Sequence, residues 1–204
     1  QIRFGLSALK GVGEGPVEAI LEERRKNGHF SSIFDLMQRL PLQALNKRVM
    51  ESLAFGGAFD CFSDLHRAQY FTPSEKYDSF IEHLLKYGSA YQGEKAMAAS
   101  SLFGETGEVM IPPPAPPQCE PWSLLEKLDK EKDVTGIFIS GHPLDDYRIE
   151  IENFITCTLD HISEHQQKPL LQVAGMVTRA THKISKNGNG WGIFEIRDYN
   201  AGIE

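Results

Sequence analysis

Apolar positions in the first sixty residues fall at helical spacing in three short runs, each bounded by residues that start or stop helices. Val17, Ile20 and Leu21 share one face of Pro16 to Lys26, where Pro16 suits the first helical position and Asn27-Gly28 supplies a stop. Ser32 with Asp35 three residues on has the form of a capping box, and Ile33, Phe34, Leu36, Met37 and Leu40 make a second helix that ends before Pro41. Asn46 caps a third, with Val49, Met50 and Leu53 inward and Gly56-Gly57 past its end. Helical spacing returns from Ser74 to about Met97, with Tyr77, Phe80, Ile81, Leu84 and Leu85 in one stripe. The proline run from Ile111 to Pro117 favours extended backbone and is the clearest linker in the chain. A further helix starts near Trp122, and the loop SGHPLDDY leads to another helical stretch through Phe154.

The period then changes. LLQVAGMVTRATHKI alternates as a strand does, KNGNG is a turn, WGIFEIRD is a second strand, and YNAGIE begins a third. On the second strand Gly192, Phe194 and Ile196 share one face, the expected core, and Trp191, Ile193, Glu195 and Arg197 share the other. Two and a fraction strands bury no sheet face by themselves, so this domain is expected to be cut through. The chain also opens on Gln1 and reads as an excised piece.

Composition narrows the function classes. The 204 residues carry no apolar run of membrane-spanning length, so no membrane partner is expected. Cys61, Cys119 and Cys157 form neither a CxxC pair nor an even disulfide framework, which places the chain in the cytoplasm. The net charge of −7 is concentrated in residues 61–160, which carry 17 Asp+Glu against 8 Lys+Arg, while the flanking segments are nearly neutral. Bulk electrostatics therefore cannot carry nucleic-acid binding, which needs placed contacts. Gly11, Gly13 and Gly15 stand directly before the first helix, where they either cap a structural turn or let the backbone approach a phosphate.

Gly11-Val12-Gly13, with Leu9 before it and Val17 and Ile20 after it, fits a helix-hairpin-helix motif, in which backbone N–H groups aim at a DNA phosphate. The match extends further. LNKRVMESLAFGGAFD, WSLLEKLDKEKDVTGIFISGHPLDDY and VAGMVTRATHKISKNGNGWGIFEIRD follow in the order seen in the alpha (catalytic) subunit of bacterial replicative DNA polymerase III, which the chain resembles over nearly its whole length. The resemblance implies a mainly α chain: a tandem helix-hairpin-helix region over 1–60, a helical extension over 61–110, a Pro-rich linker over 111–121, a helical connector over 122–168, and a partial OB fold over 169–204. It places the palm with its catalytic aspartates upstream, so no catalytic residue, metal site or cofactor is expected here. The parent polymerase would use Mg2+.

The implied DNA contacts are Gly11, Val12, Gly13 and Gly15 in the hairpin, and Asn46, Lys47 and Arg48 in the second element. On the OB face they are Lys183, Lys186, Trp191 and Arg197, suited to single-stranded template by stacking and a basic track. Leu102 and Phe103, within 99–103, stand where the family carries its peptide for the sliding clamp (beta subunit), although Ala99 replaces the usual Gln. The implied partners are double-stranded DNA, single-stranded template, the clamp and the other subunits of the polymerase III holoenzyme. Two other classes stay open: a protein-interaction scaffold with a structural hairpin, and a helix-hairpin-helix piece of a DNA-repair enzyme. Cys157, His161 and His165 would share a face if helical, but a fourth zinc ligand is not evident.

Overall fold

The computed structural model describes residues 4–100 and 111–204, which form two compact units, Gln1–Phe138 and Ile139–Glu204. The first is helical: α1 (Glu14–Asn27), α2 (Ile33–Arg39), α3 (Lys47–Phe55), α4 (Arg67–Phe71), α5 (Phe80–Ser100) and α6 (Leu124–Thr135). The second has α7 (Arg148–Phe154) and an antiparallel sheet of β1 (Met176–Ile184), β2 (Gly190–Arg197) and β3 (Gly202–Ile203), in the order β1-β2-β3. Among the described residues no helix is long and apolar enough to cross a membrane.

Local chemistry explains the helix ends. Ser32 and Asn46 cap α2 and α3 by accepting from Asp35 N and Val49 N, and Ser123 with Glu126 forms a reciprocal capping box on α6. Helix α1 begins two residues before Pro16, with Gly13 as its N-cap. Proline is tolerated in the first turn because the N–H it lacks would have no intrahelical acceptor there. Helix α5 begins at Phe80 rather than near Ser74, because Ser74 and Tyr77 close a turn on each other and Ser79 Oγ accepts from Glu82 N. Helix α4 is only five residues long, too short to register as a period.

One core runs through the first unit, from Leu9 and Val12 before α1, through Leu36, Met50, Leu53 and Leu84, to Val134 on α6. The proline run is extended but lies within this unit. Ile111 packs on the core, and Gln69 Nε2 donates to Pro117 O at 2.8 Å. Behind the core sits Arg67, 8% exposed. Its Nε and Nη2 donate to Asp60 at 2.8 and 2.6 Å, and its Nη1 to Phe55 O at the end of α3 and to Glu131 on α6, at 3.0 and 3.1 Å. Burial opposes the Arg67 charge, but Asp60 and Glu131 outweigh it and hold the guanidinium pKa above its ordinary value. Gly57, at φ +75°, is obligatory beside this group: a Cβ there would come within 2.1 Å of Arg67 Nη2.

In the second unit two carboxylates fix the loops. Asp145, in the SGHPLDDY phrase, accepts from His142 N at 2.6 Å and from the Tyr199 hydroxyl at 3.0 Å, while the His142 and Tyr199 rings lie 4.4 Å apart. Asp198 is buried and accepts from Leu159 N at 2.7 Å and from Asn200 N and Ala201 N at 2.8 Å each. Burial works to raise the Asp198 pKa, but these three donors win and hold it below the usual carboxylate value.

Two outcomes follow from these buried charges. Arg67→Met removes the guanidinium that Asp60, Phe55 O and the buried Glu131 share, and is expected to cost about 3–5 kcal/mol in urea melts of the first unit. A loss under about 1 kcal/mol would show that the network is dispensable. Because the folded pKa of Asp198 is depressed, its contribution is complete above the unfolded value of about 3.9 and is lost as pH falls through the folded value. Asp198→Asn is therefore expected to lower the melting midpoint of the second unit at pH 7, with the gap to wild type closing below about pH 4. Trp191 fluorescence in a Trp122→Phe background reads this unit alone.

Candidate nucleic-acid interface

The hairpin before α1 is anchored at both ends by the core: Leu9 is 4% and Val12 5% exposed. Val12, placed among the DNA contacts from sequence, thus turns its side chain inward and acts as an anchor, leaving only its backbone on the hairpin. Val12 N donates to Leu9 O at 3.0 Å and closes the turn. The left-handed backbone falls on Gly11, at φ +90°, where a Cβ would lie 3.0 Å from Ser52 Oγ and 3.2 Å from Arg48 Nε. Gly13 is different. Its φ of −80° is open to any residue, and a Cβ at Gly13 or Gly15 would meet nothing within 4 Å. One glycine makes the turn and the other two keep the space in front of it clear.

Gly13 offers no side-chain cap to α1, so the amides at the start of this 14-residue helix have no capping side chain from their own N-cap residue. Partial positive charge at such a helix start favours an anion. Glu14 stands in the same turn, and its carboxylate also interacts favourably with the dipole.

The second predicted element splits in two. Lys47 Nζ donates to Glu82 Oε1 at 2.7 Å, and Glu82 also accepts from Asp78 N at 3.1 Å. The bond to Glu82 raises the Lys47 pKa, and the bond to Lys47 lowers that of Glu82. The Lys47 charge is thus countered inside the protein. Arg48 turns the other way, beside Gly11, and has no carboxylate partner among the described residues. Asn46 is occupied in capping α3. The structure therefore joins Arg48 to the glycine hairpin, two elements that sequence treats separately.

In the sheet, β1 and β2 pair with Lys183 opposite Trp191, Thr181 opposite Ile193 and Arg179 opposite Glu195, which puts these side chains on one face. Lys183 Nζ lies 5.4 Å from the centroid of the Trp191 ring, which is 46% exposed. Lys186 is exposed in the turn that follows, and Arg197 is tied to Glu195 at 2.7 Å. Arg179 completes the basic side of this face. Sequence reasoning passed over it, although its spacing of four from Lys183 on an alternating strand signals it.

The opposite face corrects an expectation. Gly192, Phe194 and Ile196 do line up there, but Phe194 is 55% exposed, because within the second unit no described layer covers the sheet. Val173, Phe194, Ile196 and Ile203 instead line an open hollow of about 650 Å³.

Leu102 and Phe103 lie outside the described residues. Cys157 is buried ahead of a 3-10 turn, Leu159–His165, whose three-residue period breaks the alignment of Cys157, His161 and His165. His161 Nδ1 instead pairs with Glu164 at 3.0 Å, and among the described residues no metal-ligating group forms.

The two kinds of glycine are separable by mutation. Gly11→Ala is expected to cost about 1–3 kcal/mol from the left-handed backbone, whereas Gly13→Ala costs no more than about 1 kcal/mol as a helix cap. Thermal melts of both variants check this, and equal losses would contradict the division of roles.

A model of the helix-hairpin-helix motif matches residues 1–70. The chain is 33% identical over 212 aligned residues to the DNA polymerase III subunit alpha of Escherichia coli (strain K12), and 35% identical over 208 to that of Thermus aquaticus. It is 31% identical over 210 residues to the same subunit of Vibrio cholerae. Each alignment takes in 100% of this chain and 16–17% of the relative, so the chain spans about one sixth of the length of the curated relatives it matches. With a helix-hairpin-helix motif at its start, the chain corresponds along its full length to one segment of the DNA polymerase III alpha subunits.

Proposed function

We propose that this chain is a non-catalytic DNA-binding region of a cytoplasmic replicative DNA polymerase III alpha subunit, gripping duplex phosphates without reading sequence. The observation that carries the reading is the open cradle at the start of α1: helix amides that Gly13 does not cap, clear space at Gly13 and Gly15, and Arg48 beside it with no carboxylate partner among the described residues. Neutral amides and one guanidinium suit a phosphate, and phosphate contacts hold a duplex in place without carrying base information. The nucleotidyl transfer itself, with its Mg2+, belongs in this reading to another part of the parent polymerase.

The Trp191, Lys183, Thr181 and Arg179 face of the sheet supports a second role within the same reading. An exposed ring flanked by cations is a stacking platform for single-stranded template, as on an OB fold of which this sheet would be a part. A link to the sliding clamp through Leu102 and Phe103 rests on their sequence position and on apolar anchors being the usual core of such peptides.

Arg48→Ala is expected to weaken binding to every duplex sequence alike and to reduce the slope of log K against log salt by about 1. Gly13→Val, placed in clear space at an ordinary φ, is expected to weaken duplex binding while costing no more than about 1 kcal/mol of stability as a helix cap. Fluorescence anisotropy at several salt concentrations reads both. Wild-type affinity in a folded Gly13→Val protein would remove the phosphate cradle.

A further inference from the structure

The backbone of Lys10 is held at both its N–H and its carbonyl by groups far from it in sequence. Ser52, 6% exposed on α3, donates its hydroxyl to Lys10 O at 2.8 Å, and Lys10 N donates to Val134 O at 2.8 Å. Val134 lies in the last turn of α6, where carbonyls have no intrahelical partner, and the matched helix-hairpin-helix region ends at residue 70. One turn earlier Glu131 fastens the same helix to Arg67.

A cradle of neutral amides gains its energy only when the donors already point at the anion, since aligning them on binding would cost chain entropy. The core anchors the hairpin's ends at Leu9 and Val12, and with no side-chain cap on α1 the peptide groups between them are aligned by Ser52 and by α6. We propose that the last turn of α6 is an integral wall of the phosphate cradle, and that Ser52 is a positioning residue for it. The inference rests on the duplex-binding reading above and extends the site to residues 131–134. It makes α6 respond to DNA through the Lys10 N–H to Val134 O bond.

The test uses the whole chain and a short duplex of mixed sequence. Ser52→Ala is expected to lower duplex affinity roughly three- to tenfold, the worth of one net hydrogen bond, with the salt slope unchanged because no charge is lost. Binding is compared at a temperature where both proteins are fully folded by circular dichroism, so that a loss of folded fraction is not counted. Hydrogen exchange of the unmutated chain provides the second arm: saturating duplex is expected to slow exchange of the Lys10 amide and of the last-turn amides of α6 at least fivefold. Gly13→Val serves as the control. If that control loses affinity while folded Ser52→Ala binds as wild type, or while Lys10 and α6 exchange is indifferent to duplex, the inference is overturned and the cradle stands. If the control binds as wild type, the cradle and the inference fall together.

Discussion

A guanidinium with almost no access to water governs the first unit. Arg67 must have its buried donors met, and it meets them with Asp60, the Phe55 carbonyl at the end of α3 and Glu131 of α6. Those partners lie on three different segments, so satisfying one charge fixes three backbones against each other. Gly57 must then carry the chain past the guanidinium without a side chain, and Phe55, Phe71 and Trp122 stack over the same joint. Because α6 is held at Glu131, its next turn presents Val134 O to Lys10. The buried charge thereby reaches the glycine hairpin through one turn of helix and one hydrogen bond.

That chain of constraints explains how an acidic protein can offer an anion site. The net charge of −7 repels a duplex at long range, so binding has to come from contacts set in advance. In the proposed reading the hairpin supplies them with backbone dipoles, which add no charge, and with Arg48, which has no carboxylate partner among the described residues. Lys47, adjacent in sequence, shows the contrast: Glu82 takes up its charge, and this second cation at the same helix start contributes an interhelical tie.

Much of this was legible in the residues. Caps at Ser32 and Asn46, the apolar spacing of α2 and α3, and the alternation of β1 and β2 are local signals, and the structure follows them. The glycine hairpin was visible as a motif, but not which glycine carries the left-handed turn, since that depends on Ser52 and Arg48 packing against Gly11 from α3. Helix α4 and Arg67 escaped because a five-residue helix has no period and a buried arginine looks like a surface one in sequence. The role of α6 in the hairpin was hidden for a related reason: a backbone bond between Lys10 and Val134 leaves no mark on side-chain identity. Phe194 was read as core because alternation tells which residues share a face, not whether another layer covers it.

The central claim is that DNA is met by the amides at the start of α1 together with the first turn of α3. The most direct measurement is a titration of the 15N-labelled chain with a short duplex, followed by amide chemical shifts. The account predicts that the largest changes fall on Gly13, Glu14 and Gly15, with smaller ones at Lys47 and Arg48, and that they saturate together. Saturable shifts elsewhere in the chain that leave Gly13, Glu14 and Gly15 unmoved would contradict it.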